Sequence, residues 1–274
     1  MGDRHQQIEP GRSKETGQSA GIWTEDNIIR AYEVDPRGSL SAVSMCNFFQ
    51  EAAANHAHVL GVSIHQLLPQ NITWVFSRLA LKVYAHPRWG EYLRVRTWPS
   101  GVRGPFALRD FMMTGKDDRL VAVAVSAWLL IDTRTRLPLR RVTSVLERLV
   151  TVETEPALVH DLRKLPSYDG FTDEARFPVR YQDLDANHHV NNVSYIGWVV
   201  DSLPHETLDN AVLTDLEVNY IAEAFAGNQV VARSLKTKDG PLSFSHSIIR
   251  EGDGQELLRA RTSWKAREPA GKSP

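Results

Sequence analysis

The sequence predicts an α+β protein built from two similar units in tandem. Two observations carry this prediction. Three stretches of the first half recur in the same order in the second half, and each half reads as one apolar-periodic helix followed by a run of extended segments. One helix followed by consecutive antiparallel strands is an α+β arrangement. Each unit is therefore expected to be a sheet that curls around its helix and buries the apolar face of that helix.

The internal repeat is clearest around the helix of each unit. The matched pairs there are Asp35/Asp185, Val43/Val193, Ser44/Ser194, Phe48/Trp198 and Glu51/Asp201, all at an offset of 150. Residues 79–91 then match 216–228 at an offset of 137, and residues 110–128 match 246–264 at an offset of 136. The offset shortens in one connecting loop and then barely changes, which favours a duplication over chance similarity.

The elements of each unit follow from the spacing of apolar residues. Helices are predicted over residues 41–60 and 191–201. In the second helix Val193, Ile196 and Val200 fall on one face. Strands are predicted over residues 74–84, 92–98, 107–114 and 120–131 of the first unit and 213–220, 229–236, 242–250 and 256–265 of the second.

These elements divide the chain into five parts. The first unit is assigned to residues 22–134, a proline-containing connector to 135–172 and the second unit to 173–266. The connector is expected to cross the sheets and pack in part on them. The polar ends, residues 1–21 and 267–274, are predicted to be disordered.

Composition excludes several classes of protein. The 274 residues include 32 Lys and Arg against 33 Asp and Glu, and this balance gives no support to a nucleic-acid binder. No apolar run approaches the roughly 20 residues of a membrane span, and the polar N-terminus is not a secretory signal. The one cysteine, Cys46, excludes an internal disulfide. A cytoplasmic protein is expected.

One segment concentrates polar side chains at a strand-to-helix junction. Residues 183–192 hold seven polar or titratable side chains, among them Asp185, Asn187 and His189. Backbone N–H groups at a helix start are unpaired and carry partial positive charge, so the junction suits a carboxylate or a developing oxyanion. Helix capping would need one or two such residues and does not account for two histidines. A catalytic role is predicted.

Comparison of the two units sharpens this prediction. At the positions of Asp185, Asn187 and His189 the first unit has Asp35, Arg37 and Ser39, and His86 lies at the position of Glu223. The first unit thus keeps the carboxylate and lacks the amide and the imidazole. Glu223 is either a solvated residue at a strand end or a buried acid, and the sequence favours the first alternative. The second unit is expected to carry the chemistry.

Other chemistry finds little support. The sequence has no Gly-rich phosphate loop, G-x-S-x-G elbow or C-x-x-C pair. His188 and His189 could suggest a metal site, but adjacent side chains point in different directions and no third ligand is evident. No metal and no cofactor are predicted. Cys46 is interpreted as a small core residue, and His56 and His58 as surface or groove residues.

The segment from Asp183 to Trp198 resembles the active-site signature of the acyl-ACP thioesterases. The run from Trp128 to Pro138 is similar to the sequence that closes the first domain in that family. The resemblance extends over residues 25–266. Members of the family are double hotdogs, in which each half is a helix wrapped by an antiparallel sheet. The resemblance therefore implies a tandem double hotdog. The asymmetry between the units indicates that the first half supplies the scaffold and the acyl-chain pocket.

Carried over position by position, the family's catalytic residues fall on Asp185, Asn187, His189 and Glu223. The resemblance implies hydrolysis of fatty acyl-ACP to free fatty acid and ACP. Glu223 and His189 would hold and activate water, Asp185 would orient the cluster, and Asn187 with helix N–H groups would bind the substrate carbonyl. Direct attack by Glu223 is an open alternative. Plant members commonly have a cysteine where this chain has Ala224, so a cysteine nucleophile is excluded.

The predicted partner is acyl carrier protein with its phosphopantetheine-linked acyl chain, in a bacterial enzyme. An acyl-CoA thioesterase, a non-catalytic acyl-binding protein and a hotdog enoyl hydratase are the alternatives, and a homodimer is left open. The residues expected to line the acyl pocket are Met45, Phe48, Phe49, Trp74 and Phe76. The basic residues considered for carrier docking are Arg140, Arg141, Arg163, Lys164, Arg176 and Arg180.

Overall fold

The structure is a computed structural model that describes residues 21–139, 143–149, 152 and 155–267. The predicted disordered ends fall outside the described residues, apart from Gly21 and Arg267. Arg140 and Arg141, considered above for carrier docking, also lie outside them. No helix in the described part of the chain has both the length and the apolar character that crossing a membrane requires.

The described helices and strands follow the predicted order in both halves. The helices are α1 (Ala42–Val59), α2 (Ile64–Leu67), α3 (Thr143–Leu146), α4 (Asn192–Asp201) and α5 (His205–Asn210). The strands of the first half are β1 (Trp23–Ile28), β2 (Ile72–Val83), β3 (Tyr92–Arg103), β4 (Phe106–Thr114) and β5 (Leu120–Asp132). Those of the second half are β6 (Asp173–Pro178), β7 (Ala211–Tyr220), β8 (Gln229–Thr237), β9 (Ser243–Arg250) and β10 (Glu256–Ala266).

One strand differs clearly from its prediction. β3 continues past Pro99 to Arg103, whereas the sequence predicted its end at residue 98. A proline cannot donate to a ladder and usually ends a strand. Here the register shifts between Pro99 and Gly101, so a bulge accommodates the proline and pairing with β4 resumes.

The ten described strands form one antiparallel sheet. Equivalent strands of the two halves occupy equivalent places on either side of its centre. The order is β1-β3-β4-β5-β2-β7-β10-β9-β8-β6. At its centre β2 pairs with β7, and Leu81 faces Leu216 in that register. Ala80 faces Glu217, the residue at its own repeat position, so a pseudo-twofold axis passes through this pair. The duplication and the tandem double hotdog fold are thereby confirmed.

The two long helices lie on the concave face of this sheet and pack against each other there. Phe49 of α1 contacts Phe111 of β4, with ring centroids 4.9 Å apart. In the second half Trp198 of α4 stacks on Phe177 of β6 at 6.1 Å. The helix side chains and the inward-facing strand residues form one continuous buried core across both units.

The described residues of the connector pack on the opposite face of the sheet. Leu162 is buried there against Ala80 and Val125. The backbone N–H of Leu165 donates to Asn219 Oδ1 at 2.6 Å. Apolar contact and backbone hydrogen bonding therefore hold the connector on the strands at the centre of the sheet.

Arg267, assigned above to the disordered tail, is ordered in the structure. Its backbone N–H donates to the Asn210 carbonyl at 2.8 Å, and its side chain donates to the Ala211 carbonyl at 3.2 Å. Its Nη2 also donates to Asp35 Oδ2 at 3.2 Å. These partners come from distant parts of the chain, so no local sequence pattern indicates them.

The central pairing gives a stability prediction. Leu216 is 1% exposed and meets Leu81 across the β2–β7 junction. Truncation of a buried leucine removes apolar contacts and leaves a cavity, which costs about 2–5 kcal/mol. Leu216→Ala is expected to lower the free energy of unfolding by that amount, as measured by urea denaturation.

The matched control is Leu120→Ala, because Leu120 of β5 is 36% exposed. This change is expected to cost less than about 1 kcal/mol. Since one core spans both units, tryptophan fluorescence and far-UV circular dichroism should report one shared transition. Equal losses in the two variants, or two separate transitions, would contradict the importance of this junction.

Candidate active site

The carboxylate of Asp185 folds the loop that carries the predicted catalytic residues. Its Oδ1 accepts hydrogen bonds from the backbone N–H of Asn187 at 2.8 Å and of His189 at 3.2 Å. The Asp185 N–H donates in turn to the His189 carbonyl at 2.8 Å. His188, at the tip, has φ of +61°, a conformation that side chains adopt at a cost. Asp185 thus orients the cluster through the backbone.

The first half contains the same loop without the chemistry. Asp35 Oδ1 accepts from the N–H of Arg37 at 2.9 Å and of Ser39 at 3.0 Å. Gly38 takes the left-handed position with φ of +78°. The aspartate is therefore a requirement of the fold in both halves, and the amide and imidazole are additions in the second.

Glu223 is held beside this loop by backbone contacts. It lies in the segment after β7, where the Val190 N–H donates to the Ala224 carbonyl at 3.0 Å. The Ala224 N–H donates to Tyr195 Oη on α4 at 2.8 Å. As a result His189 Nδ1 lies 3.3 Å from Glu223 Oε1. The structure brings Asp185, Asn187, His189 and Glu223 into one cluster.

Glu223 has a second partner that the sequence reasoning missed. Arg136, in the turn after β5, contacts the other carboxylate oxygen, Oε2, through its Nη2. Both carboxylate oxygens are therefore engaged, one by an imidazole and one by a guanidinium. Arg136 has φ of +59°, so its backbone is held in the left-handed region. The run from Trp128 to Pro138 was recognised as family-like, but its pattern gave no sign of this contact.

The cluster opens to solvent. The side chains of His189 and Glu223 are 31% and 34% exposed, and Asn187 is exposed. Neither sequence alternative for Glu223 describes it well, because it is neither fully solvated nor buried. An exposure of about one third leaves room for a water molecule and a substrate group to reach the pair from outside.

The start of α4 offers fewer free donors than expected. The Asn191 side chain caps the helix and accepts from the Val193 N–H at 2.9 Å. The Ser194 N–H donates to the Asn191 carbonyl at 3.0 Å. The Asn187 amide is less committed, since its Nδ2 lies 3.4 Å from Asp185 Oδ2. Of the predicted oxyanion donors, this amide is the one more available to bind a substrate oxygen.

A cleft of about 440 Å³ runs from Asp185 along the C-terminal half of α1. On α1 its wall consists of three alanines and three polar residues: Ala53, Ala54, Ala57, Gln50, Asn55 and His58. Trp74 and Trp128 line it from the sheet. The cleft therefore joins the loop of the second half to an apolar channel in the first.

Of the five residues predicted to line an acyl pocket, only Trp74 lines this cleft. Met45 is packed in the core, and Phe48 faces a separate polar groove beside β1. Phe49 and Phe76 line a void of about 20 Å³, which shares Trp128 and Gln50 with the cleft. The cleft lies on a different stripe of α1 from Met45 and Phe48. The alanines at 53, 54 and 57 could have indicated the position of the cleft, because small side chains on one side of a helix leave space beside it.

Two residues on the first half differ from expectation. His56, assigned to the surface or a groove, is buried, and its Nδ1 lies 3.1 Å from Arg109 Nη1. Arg109 lines the cleft and was not predicted at all. Cys46 is buried as predicted, and burial raises the pKa of its thiol to about 12, so the thiol is not activated. Among the described residues, no group of three or more His, Cys, Asp or Glu is arranged to hold a metal ion.

Comparisons with known proteins show which family the chain is similar to. The profile of the acyl-ACP thioesterase N-terminal domain matches residues 22–151, and that of the C-terminal domain matches residues 169–266. The palmitoyl-acyl carrier protein thioesterase of Cuphea hookeriana is 30% identical over 266 residues, which cover 90% of this chain and 63% of that protein. The chain thus spans less than two thirds of that relative.

Two further relatives are covered over most of their length. The oleoyl-acyl carrier protein thioesterase 2 of Arabidopsis thaliana is 30% identical over 300 residues, covering 93% of this chain and 79% of that one. The crystal structure of an acyl-ACP thioesterase from Bacteroides thetaiotaomicron superposes with a TM-score of 0.77 at 27% identity, covering 89% of this chain and 98% of that one. The chain belongs to the acyl-ACP thioesterase family.

Proposed function

We propose that this protein hydrolyses the thioester of fatty acyl-ACP and so ends fatty-acid elongation. The observation that carries the proposal is the His189–Glu223 pair, which stands at an exposed loop beside an apolar cleft. An imidazole beside a carboxylate can activate water, and an apolar cleft can hold an alkyl chain. Membership of the acyl-ACP thioesterase family supports the same reaction.

In the proposed reaction a water molecule is deprotonated by the His189–Glu223 pair as its oxygen attacks the thioester carbonyl carbon. The Asn187 amide donates a hydrogen bond to the carbonyl oxygen, which becomes negative in the tetrahedral intermediate. The carbon–sulfur bond then breaks, and the proton passes to the thiolate of the carrier. Asp185 keeps the loop in register through its hydrogen bonds to the loop backbone.

The contacts of Glu223 favour water activation over direct attack. A carboxylate that forms an anhydride must bring a free oxygen to the carbonyl carbon. Here Oε1 faces His189 and Oε2 faces Arg136. We therefore assign Glu223 to holding the imidazole and the water.

The carrier is proposed to be ACP, with CoA as the alternative. Three of the basic residues considered for docking are already paired: Arg163 with Asp161, Arg176 with Glu251 and Arg180 with Asp183. Their pairing weakens the docking hypothesis for these positions. The test of the proposed function is thiol release from one acyl chain presented on ACP and on CoA. Thiol release from acyl-CoA alone would show that CoA, and not ACP, is the carrier. No release from either substrate would favour a non-catalytic binding protein.

The cellular location is proposed to be the cytoplasm, where acyl-ACP would be made and a free thiol stays reduced. Cys46 is the sole cysteine of the chain and is not in a disulfide. Fractionation of cells that express the tagged full chain tests this location.

Loss of the catalytic groups is expected to reduce turnover sharply. Glu223→Gln keeps the shape of the side chain and removes its charge. Asn187→Ala removes the proposed oxyanion donor, and His189→Ala removes the imidazole. Each change is expected to lower kcat for acyl-ACP by at least ~10²-fold. Steady-state thiol release, with circular dichroism to confirm folding, is the measurement.

The first half supplies the matched controls for these variants. Arg37→Ala, Ser39→Ala and His86→Ala change the corresponding positions and should leave kcat within a few-fold. A folded Glu223→Gln protein that turns over acyl-ACP at the parent rate would show that the assigned chemistry is wrong.

Arg136 is expected to position Glu223 for this chemistry. Arg136→Met removes the cation that contacts Oε2, and the freed carboxylate can then leave the geometry that faces His189. We expect kcat to fall about tenfold while KM changes little, since Arg136 has no place in the acyl cleft. The kcat and KM values for acyl-ACP measure this split.

Arg267→Met is the control for this variant, because Arg267 follows β10 as Arg136 follows β5 and contacts Asp35. Turnover by the control should match the parent. A parent-like kcat in Arg136→Met would argue that its contact with Glu223 has no role in catalysis.

The cleft predicts how chain length is selected. Ala57 is half-buried on its wall, and Ala57→Leu would fill space that an acyl chain occupies. The variant is expected to prefer shorter acyl-ACP substrates than the parent, with a parent-like melting temperature. The control Ala266→Leu changes an exposed alanine outside the cleft lining. Identical chain-length profiles in the parent and Ala57→Leu would show that this cleft does not hold the acyl chain.

A further inference from the structure

The wall of the apolar cleft carries a buried cation. Arg109 extends from β4 and is 7% exposed. Its Nη1 lies 3.1 Å from His56 Nδ1 and donates to Thr97 Oγ1 at 3.2 Å. Burial lowers the pKa of His56 to about 4 and that of Arg109 to about 10. At neutral pH the histidine is therefore neutral and the guanidinium is charged.

The carboxylates of neighbouring elements are committed elsewhere. Asp110, the next residue on β4, points to the opposite face of the sheet and accepts from the Ala157 N–H at 2.8 Å. Glu25 of β1 accepts from Asn55 Nδ2 at 2.8 Å. Within the described part of the chain, no Asp or Glu forms an ion pair with Arg109. Among the described residues, the side chains that bond to this guanidinium are His56 and Thr97, and both are neutral.

The fold itself does not require an arginine at this position. A buried charge is costly unless an opposite charge or strong acceptors meet it. The second half has Ser245 at the corresponding position of β9, and that side chain is buried and uncharged. The same strand is thus built there without a cation. The arginine belongs only to the half that contains the cleft.

We propose that Arg109 recognises an oxygen function carried on the acyl chain. The cleft would then select hydroxy-, oxo- or carboxy-substituted chains over unsubstituted alkyl chains, an inference that rests on the proposed function. Ala53, Ala57, Trp74 and Trp128 offer apolar walls that methylene groups satisfy. The guanidinium needs an oxygen acceptor, and hydrogen bonds from a charged donor to oxygen are among the strongest in proteins.

The test compares acyl-ACPs of one chain length that differ only in the substituent. The set contains an unsubstituted chain, chains with one hydroxyl or keto oxygen at successive carbons, and a chain with a terminal carboxylate. The full-length protein is expected to show kcat/KM about tenfold higher for an oxygenated chain than for the unsubstituted one, equivalent to about 1.4 kcal/mol. The preferred substituent and its position identify the ligand chemistry.

Arg109→Met is expected to abolish this preference by lowering kcat/KM for the oxygenated chain and not for the plain one. Arg109→Lys keeps the charge without the planar fork and should keep part of the preference. The matched control is Arg78→Met, because Arg78 donates to the Leu162 carbonyl under the connector, outside the cleft. Melting curves establish that each variant folds. Equal losses on both substrates in Arg109→Met, or no preference in the parent, would overturn the proposal.

Binding of thioether analogues separates this inference from the proposed function. These acyl-pantetheine analogues contain no cleavable thioester, so calorimetry reports recognition without turnover. A preference for the oxygenated analogue that disappears in Arg109→Met supports the role of Arg109 even if no acyl-ACP is hydrolysed, and then only the proposed function fails. Equal affinities for both analogues in the parent would reject the role of Arg109 whatever the activity.

Discussion

The antiparallel pairing of β2 with β7 is the contact on which the rest of the structure depends. β2 is antiparallel to both β5 and β7, so those two strands run parallel to each other with β2 between them. Their C-terminal ends therefore emerge at the same edge of the sheet. The segment after β5 carries Arg136 and the segment after β7 carries Glu223, which explains why residues from different halves meet.

The same pairing generates a second junction of this kind. β7 is antiparallel to both β2 and β10, so the ends of β2 and β10 also emerge together. Arg267, after β10, reaches Asp35 in the loop of the first half. The pseudo-twofold thus delivers an arginine from each half to the loop region of the other. At this second junction the guanidinium pairs with the Asp35 carboxylate, and the His86 imidazole lies within electrostatic reach of both. At the other junction Glu223 contacts both an imidazole and a guanidinium.

Much of the fold could be predicted from the sequence because its determinants are local. Helix periodicity, strand alternation and the repeat offsets located α1, α4 and the four strands that follow each of them, and only β3 extended well past its predicted end. The position of the cleft depends instead on which stripe of α1 faces empty space, which is a property of packing. Met45 and Phe48 were apolar and plausible, but the wall includes alanines whose small size leaves the space open.

The site divides in the same way between local and distant determinants. Asp185, Asn187 and His189 lie within one loop, so a single stretch of sequence marked them together. The catalytic role of Glu223 was predicted from the family resemblance, since no nearby sequence pattern indicates that it contacts His189. Arg136 and Arg109 were missed because their roles depend on contacts with residues 87 and 53 positions away, and a lone arginine gives no periodic signal.

The duplication also separates the residues that the fold needs from those that the chemistry needs. Positions with the same side chain and the same bonds in both halves, such as Asp35 and Asp185, are explained by loop geometry alone. Substitution of Asp185 would therefore disturb folding and activity together. At positions where the halves share one backbone geometry but differ in side chain, a substitution would test the proposed chemistry separately from folding. Such positions include Asn187, His189, Glu223 and Arg109. Each of them places a polar or charged group at the cluster or on the cleft wall, whereas the other half has a different side chain at the corresponding position: Arg37, Ser39, His86 or Ser245.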